Sequence, residues 1–321
     1  MKSLIILRHL SVENANAIAG LTYGFPAISN FLGFTHALSR ALQKDHGLVL
    51  GGCAVICHQH AVQAYQPAGW GDYVFSLTRN PLTKEAKTAA FNEEARMSMD
   101  VSLLIECDFT SYDFDFDTGS TKGDITQLEQ YLTQKVLMQR LAGGTIQSIK
   151  QVQFAEIPQE IEKRDQFTRK QLLRLLPGFA LVNRPDVLQA HHQALQASNP
   201  DADLIDAWLD FSALKYQAIS SEEHPNEESK ATWQRIPKPD SGFLVPISMG
   251  YHAISPLYAQ GEVASTRDAN TPFRFVESAY SIGQWISPHR IHEIESLIWR
   301  YQCTDDAYLC KNLYQPAKST Q

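Results

Sequence analysis

The first half of the chain alternates between strand-like and helix-like hydrophobic spacing in a fixed order. The order is β-α-β-β-α-β, and it favours an α+β fold of the ferredoxin-like or RRM-like type. In that fold both helices cover one face of an antiparallel sheet, and the other face is free for a ligand. The four strand-like segments are residues 3–10, 53–65, 96–107 and 146–157, and the two helix-like segments are residues 29–47 and 124–144.

The predicted fold departs from its minimal form in two places. An insertion at about residues 66–95 separates the second and third strands, and its aromatic and basic residues between turn residues are typical of a protruding hairpin or thumb. The first domain, residues 1–157, is followed by a mixed α/β extension over residues 158–321, which we expect to pack on it. The last helix of the extension is predicted over residues 287–302, because Ser287 suits the N-cap and Pro288 the first helical position.

Composition and charge limit the classes of function. The chain is 44% hydrophobic and 20% charged, which is typical of a globular protein. No apolar segment approaches the roughly 20 residues of a membrane span, and the N-terminus is more typical of a first strand than of a signal peptide. We therefore expect a cytoplasmic protein without a membrane partner. The net charge of −7 disfavours a broad nucleic-acid surface, but it allows a local basic groove beside faces that bind proteins.

The five cysteines do not predict a disulfide framework, since they are few and odd in number. Cys53 and Cys57 together could suggest a metal site. On a strand, however, they would lie about 13 Å apart at roughly 3.3 Å per residue, which is too far for one zinc ion. We therefore expect buried thiols, and neither a metal nor a cofactor.

The second helix-like segment ends on two adjacent glycines. In the predicted order, Ala142, Gly143 and Gly144 lie between the second helix and the fourth strand, beside the edge of the sheet. The backbone N–H groups of a glycine-rich turn can hold a phosphate, and the missing side chains allow close approach. A helix C-cap with a spare glycine is the alternative.

Other residues that could contact RNA are polar, aromatic or cationic. Asn14 and Asn16 could hydrogen-bond base edges, or they could only form turns. Tyr23 could stack on a base. His252 could contact a base or be a buried histidine. Arginine binds phosphates in bidentate fashion and stacks on bases, and the arginines concerned are Arg79, Arg140, Arg267, Arg274 and Arg290. For Arg267 and Arg274, the alternative is a salt bridge to Asp268 or Glu277.

Several segments resemble one protein family closely. They are "ENANAIAGLTYGFPAISNFLGFTHAL", "FSLTRNPL", "RLAGGTI", "GYHAISPLY" and "TRDANTPFRFVESAYSIGQWISPHR". The chain resembles the Cas-five-like subunits of type I-F (Csy-type) CRISPR effector complexes, within the superfamily known as repeat-associated mysterious proteins. A glycine-rich loop lies at the position of residues 142–144 in that superfamily. The resemblance covers most of the chain.

The resemblance implies a function and a set of partners. It implies a non-catalytic subunit that binds the 5′ handle of the CRISPR RNA. It also implies pairing with the large subunit of the complex and contact with the backbone subunits. RNA cleavage belongs to a different subunit in these systems.

Two other functions remain open from the sequence. A metal-independent endoribonuclease acting on CRISPR repeats needs a general base and acid, and His9 and His36 are available, although the sequence shows no cluster. A protein-interaction scaffold without RNA contact agrees with the net charge. A two-histidine phosphoesterase is disfavoured, because its His-x-Ser motif occurs only once, at residues 9–11.

Overall fold

The structure is a computed structural model that describes residues 1–76, 81–89, 94–111, 113, 125–220 and 231–316. These residues contain five α-helices and sixteen short or long strands, so the chain is α+β as predicted. The helices are α1 (Ile28–His46), α2 (Ile125–Leu137), α3 (Ile161–Leu173), α4 (Pro185–Ser198) and α5 (Leu204–Ser212). No helix in the described part of the chain has the length and apolar character needed to cross a membrane.

The four long strands of the first half lie where they were predicted, although the first extends further, to Asn16, and several short strands join them. They are β1 (Ser3–Asn16), β2 (Ile18–Ala19), β3 (Thr22–Tyr23), β4 (Leu50–Val62), β5 (Ala64–Tyr65), β6 (Val74–Phe75), β7 (Arg96–Cys107), β8 (Arg140–Leu141) and β9 (Gly144–Glu156). Those of the second half are β10 (Phe179–Asn183), β11 (Tyr216–Ser220), β12 (Ala231–Arg235), β13 (Leu244–Ala253), β14 (Val276–Ile286), β15 (Arg300–Cys303) and β16 (Ala307–Lys311).

One antiparallel sheet of ten strands runs through both halves of the chain. Its order is β15-β16-β13-β14-β10-β4-β7-β1-β9-β8. The long strands of the first half are adjacent, since β1 pairs with both β7 and β9, and β7 pairs with β4. Strand β10 joins the second half to them through the pair Ala180 and Ile56.

The two faces of this sheet are covered by different parts of the chain. On one face, Leu7, Val101 and Phe154 pack with side chains of α1 and α2, such as Phe31 and Leu132. This arrangement follows from the period-2 alternation along each strand, which sends every second side chain to the same face.

The opposite face is partly buried by the C-terminal half. Ile6 and Leu104 belong to a second core cluster that includes Leu172 of α3 and Leu297. The expectation that this face is free for a ligand is therefore wrong for this part of the sheet. Burying a leucine contributes roughly 1.5–3 kcal/mol, so the apolar side chains of the extension favour covering the face.

The helix predicted over residues 287–302 is wrong. The chain instead forms two 3₁₀ turns, Pro288–Arg290 and Ile294–Leu297, followed by β15. Trp299 is fully buried, and its backbone exchanges two hydrogen bonds with Cys53, of 2.9 and 3.0 Å. Its indole Nε1 donates to the carbonyl of Leu181 at 2.9 Å. Pairing with β4 needs an extended backbone, so these tertiary contacts outweigh the helical spacing.

The insertion between the second and third long strands starts as a short hairpin. Ala64 of β5 pairs with Phe75 of β6, and Trp70 and Tyr73 between them are exposed. Most of the described insertion is exposed, and Arg79 lies outside the described residues.

Candidate nucleic-acid interface

The two glycines lie in a β-hairpin and do not end a helix. Helix α2 ends at Leu137, and Leu141 of β8 pairs with Gly144 of β9. The two loop residues, Ala142 and Gly143, have φ values of 51° and 76°. Two positive φ values are typical of a type I′ turn, the tight turn that suits the twist of paired strands. The prediction of a helix ending on the glycines was wrong, because a two-residue strand leaves no hydrophobic pattern.

Gly143 and Gly144 are glycines for different structural reasons. Gly143 takes the left-handed conformation, and a Cβ atom there would come no closer than 3.9 Å to Arg96 Nη1. At Gly144 a Cβ atom would lie 2.6 Å from the carbonyl oxygen of Glu13 and 2.7 Å from the amide nitrogen of Ala15. The close approach at Gly144 is therefore made by β1. Only Gly143 is exposed and can present its backbone to a ligand.

The hairpin is fixed to the end of β1, where the two asparagines lie. The amide of Asn16 donates to the carbonyl of Ala142 at 2.8 Å. The Asn16 side chain donates to the carbonyl of Ile18 at 2.8 Å and accepts from the amide of Ile18 at 3.1 Å. The Asn16 side chain therefore stabilises a turn. This turn-forming role was the predicted alternative to a hydrogen bond with a base edge. The exposed Asn14 has a φ of 55°, and its side chain accepts a hydrogen bond from Gln63 Nε2, at 3.2 Å.

Arg96 is a basic residue at this site that the sequence analysis missed. Its Nη1 lies 3.5 Å from the carbonyl of Asn14, its Nη2 pairs with Glu94, and its side chain is 29% exposed. Arg140 is exposed on β8, one residue before the hairpin partner of Gly144. Two arginines therefore flank the turn. Arg96 begins a predicted strand, and only the sheet register places it beside residues 142–144.

Tyr23 lies next to this edge on the small β2–β3 hairpin, where it pairs with Ile18. Its side chain is 69% exposed and contacts Phe75 edge-to-face at 5.7 Å. An exposed aromatic ring can stack on a base. Phe25, in contrast, stacks on Phe31 at 5.6 Å and belongs to the core.

The β2–β3 hairpin also connects this edge with the C-terminal half. The amide of Leu21 donates to Tyr280 Oη of β14 at 2.9 Å. His252 is exposed on β13 and lies opposite Glu277, three residues before Tyr280. In the order of the sheet, six strands from β14 to β9 separate the strand of His252 from β8.

Of the two arginines between β13 and β14, Arg274 has a structural partner. Arg274 Nη1 donates to the carbonyl of Asp305 and lies 3.6 Å from Asp306 Oδ1. These acceptors replace the predicted alternatives, Asp268 and Glu277. Arg267 is exposed in the segment that connects β13 with β14.

Arg290 lies in the 3₁₀ turn Pro288–Arg290, which follows the end of β14 at Ile286. It is exposed, as an RNA contact requires.

Cys53 and Cys57 are buried thiols, as predicted. Cys53 lies opposite Ile105 and Cys57 opposite Val101, on the face of the sheet that α1 covers. Burial raises the pKa of both thiols to about 12, so they are protonated at neutral pH. A protonated, buried thiol neither binds zinc nor acts as a nucleophile.

Comparison with known proteins identifies the class of protein to which this fold and edge belong. The family described as CRISPR-associated protein (Cas_Csy2) matches residues 5–310, and the chain belongs to this family. A relative, CRISPR-associated protein Csy2 of Pseudomonas aeruginosa (strain UCBPP-PA14), is 39% identical over 324 residues. The match covers 98% of this chain and 94% of the relative. The resemblance to the Cas-five-like subunit of type I-F (Csy-type) CRISPR effector complexes is therefore confirmed.

Proposed function

We propose that this chain is the non-catalytic subunit of a CRISPR RNA-guided surveillance complex that binds the 5′ handle of the CRISPR RNA. The observation that carries the proposal is the hairpin at residues 140–145. Its exposed turn at Gly143 lies between Arg140 and Arg96 and is fixed to β1 beside Asn14. A backbone turn flanked by two guanidinium groups suits a phosphate.

The neighbouring residues supply the contacts that would distinguish one RNA from another. In this proposal, Asn14 hydrogen-bonds a base edge, and Tyr23 stacks on an unpaired base. His252 and Arg267 extend the contact surface towards the C-terminal half. Arg274 and Asn16 contribute less, because their side chains already bond to Asp305 and Ile18.

We also propose that the first half is an RRM-like domain with a thumb at about residues 66–95. The strand order β4-β7-β1-β9, with antiparallel pairing throughout, supports it. Packing of α1 and α2 on a single face supports it as well. The buried part of the opposite face directs RNA to the edge of the sheet.

The proposal includes two kinds of protein partner, the large subunit of the complex and its backbone subunits. The net charge of −7 supports protein partners, because an acidic surface repels RNA outside the local basic patch. Exposed apolar side chains in the insertion, such as Trp70 and Leu82, suit such contacts.

The experiment is a binding titration with labelled 5′-handle RNA, using the chain alone and together with the large subunit, across a salt series. A scrambled RNA of equal length is the control. Handle-specific, salt-sensitive binding with intact RNA supports the proposal. Binding followed by cleavage supports the endoribonuclease instead. Assembly with the large subunit but without handle preference supports a scaffold without RNA contact.

A further inference from the structure

Strand β7 pairs with β1 on one side and with β4 on the other. Both pairings become irregular at about the same height along β7. The register with β7 shifts between Leu7 and Leu10 in β1, and between Cys57 and Gln59 in β4. Each shift inserts one extra residue, as in a β-bulge, and bulges re-aim side chains. The residues concerned are His9 and His58, and their rings stack with centroids 4.1 Å apart.

His9 occupies a conformation that has an energetic cost. Its φ of 50° lies in the left-handed region, which is strained for a non-glycine residue. The amide of His9 donates to Ser102 Oγ at 3.0 Å, and Ser102 is fully buried. Strained residues persist where the surrounding structure holds them, and such places are often functional. Two independent bulges therefore direct two histidines to one point above β7.

A carboxylate completes this cluster. Nδ1 of His9 lies 3.1 Å from each carboxylate oxygen of Asp100. Ligand atoms of His9, His58 and Asp100 all lie within 4.8 Å of one another. Ligand bonds of 2.0–2.2 Å place tetrahedral ligand atoms roughly 3.3 Å apart, so small side-chain rotations close the site.

The hydrogen bonds of His58 assign the proton to one ring nitrogen and the lone pair to the other. Nδ1 of His58 lies 2.6 Å from the carbonyl oxygen of Pro177, which only accepts, so Nδ1 carries the proton. Nε2 therefore presents its lone pair, and it now faces Ser102 Oγ at 2.7 Å. A backbone carbonyl on the remote ring nitrogen is the usual support of a metal-bound histidine.

The segment that supplies this carbonyl is fitted closely to His58. A Cβ atom at Gly178 would lie 2.7 Å from His58 Nδ1, so a side chain there would displace the ring. The side chains of His9 and Asp100 are 27% and 34% exposed, so the cluster is accessible from solvent.

We propose that His9, His58 and Asp100 bind a divalent transition-metal ion of the zinc class. Two imidazoles and one carboxylate are a ligand set that zinc accepts, and they leave a fourth position for water or another oxygen ligand. No sequence pattern predicts this site, because its three residues are distant along the chain. The proposal departs from the expectation that the chain binds no metal.

The experiment is a zinc titration of the full-length, tag-free chain after removal of metals with a chelator. A chromophoric chelator competes for the ion and reports the affinity, and Co²⁺ replaces Zn²⁺ to report coordination by visible absorption. We expect one ion per chain. Loss of a residue that only hydrogen-bonds to a metal ligand weakens metal binding by roughly 10–100-fold. His58→Gln and Asp100→Asn remove proposed ligands themselves, so each should weaken zinc binding by more than that. His36→Gln is the matched control, since His36 is exposed on α1.

Thermal unfolding with and without zinc keeps the test independent of how well the variants fold. An ion that binds only the folded state raises the Tm of the wild-type chain, and the effect should vanish in His58→Gln. His9→Gly is a third variant, since glycine keeps the positive φ and removes the ring. The proposal is overturned if the wild-type chain shows no saturable zinc binding, or if all three variants bind with wild-type affinity.

Discussion

Replacing Gly144 by alanine tests how the hairpin at residues 140–145 is held against β1. The added Cβ atom would lie 2.6 Å from the carbonyl oxygen of Glu13, 2.7 Å from the amide nitrogen of Ala15 and 2.8 Å from Val12 Cγ1. Two of these three neighbours are backbone atoms, which cannot rotate away. The strands must separate, and overpacking of this kind costs about 1–3 kcal/mol in the free energy of unfolding.

The matched control is Gly143→Asn, one residue earlier. Asparagine tolerates a positive φ, and its Cβ atom would meet nothing closer than Arg96 Nη1 at 3.9 Å. Urea unfolding followed by circular dichroism gives both free energies from the same linear extrapolation. Gly144→Ala should destabilise the chain by at least about 1 kcal/mol more than Gly143→Asn. Equal stability of the two variants would refute the close approach of β1 as the reason for the second glycine.

Three other predictions concern the proposed RNA contacts and the shared sheet. Arg267→Ala should weaken handle binding and reduce the slope of log affinity against log salt concentration by about 1, because one phosphate contact is lost. The measurement is filter binding across a salt series. An unchanged slope would mean that this arginine has a structural role. Arg274→Ala should have a smaller effect on RNA, since its guanidinium also bonds to Asp305. Trp299→Ala should lower the free energy of unfolding by about 3–5 kcal/mol in urea, because it removes a fully buried indole and its bond to Leu181. A loss below 1 kcal/mol, roughly that of an ordinary surface change, would contradict the account of how the two halves share one sheet.

The order of the main elements could be predicted, because each long strand and helix buries one face and shows its own period. Met97, Met99 and Val101 alternate along β7 and are all buried on the helix side. The spacing of Phe31, Leu38 and Leu42 likewise predicted α1. These patterns arise from local burial, which the sequence records directly.

The errors have a different physical origin, since they depend on contacts between distant residues. The backbone pairing of Trp299 with Cys53 overrides the helical spacing of residues 287–302. The hairpin at residues 142–143 lacks the Asn-Gly pair that usually indicates a type I′ turn. The bulges at His9 and His58 depend on the register of three strands, and no single segment carries that information.

The most direct test of the central claim is the affinity of Gly143→Asp for 5′-handle RNA, measured beside Gly143→Asn. Both residues tolerate the left-handed turn and are similar in size, but only aspartate places a negative charge beside the proposed phosphate. A hydrogen bond to a charged group contributes about 1.5–3 kcal/mol, so its loss should weaken handle binding by about tenfold or more in Gly143→Asp. Gly143→Asn should stay closer to the wild-type affinity. Unchanged affinity of Gly143→Asp, with the fold intact, would contradict a phosphate site at this turn.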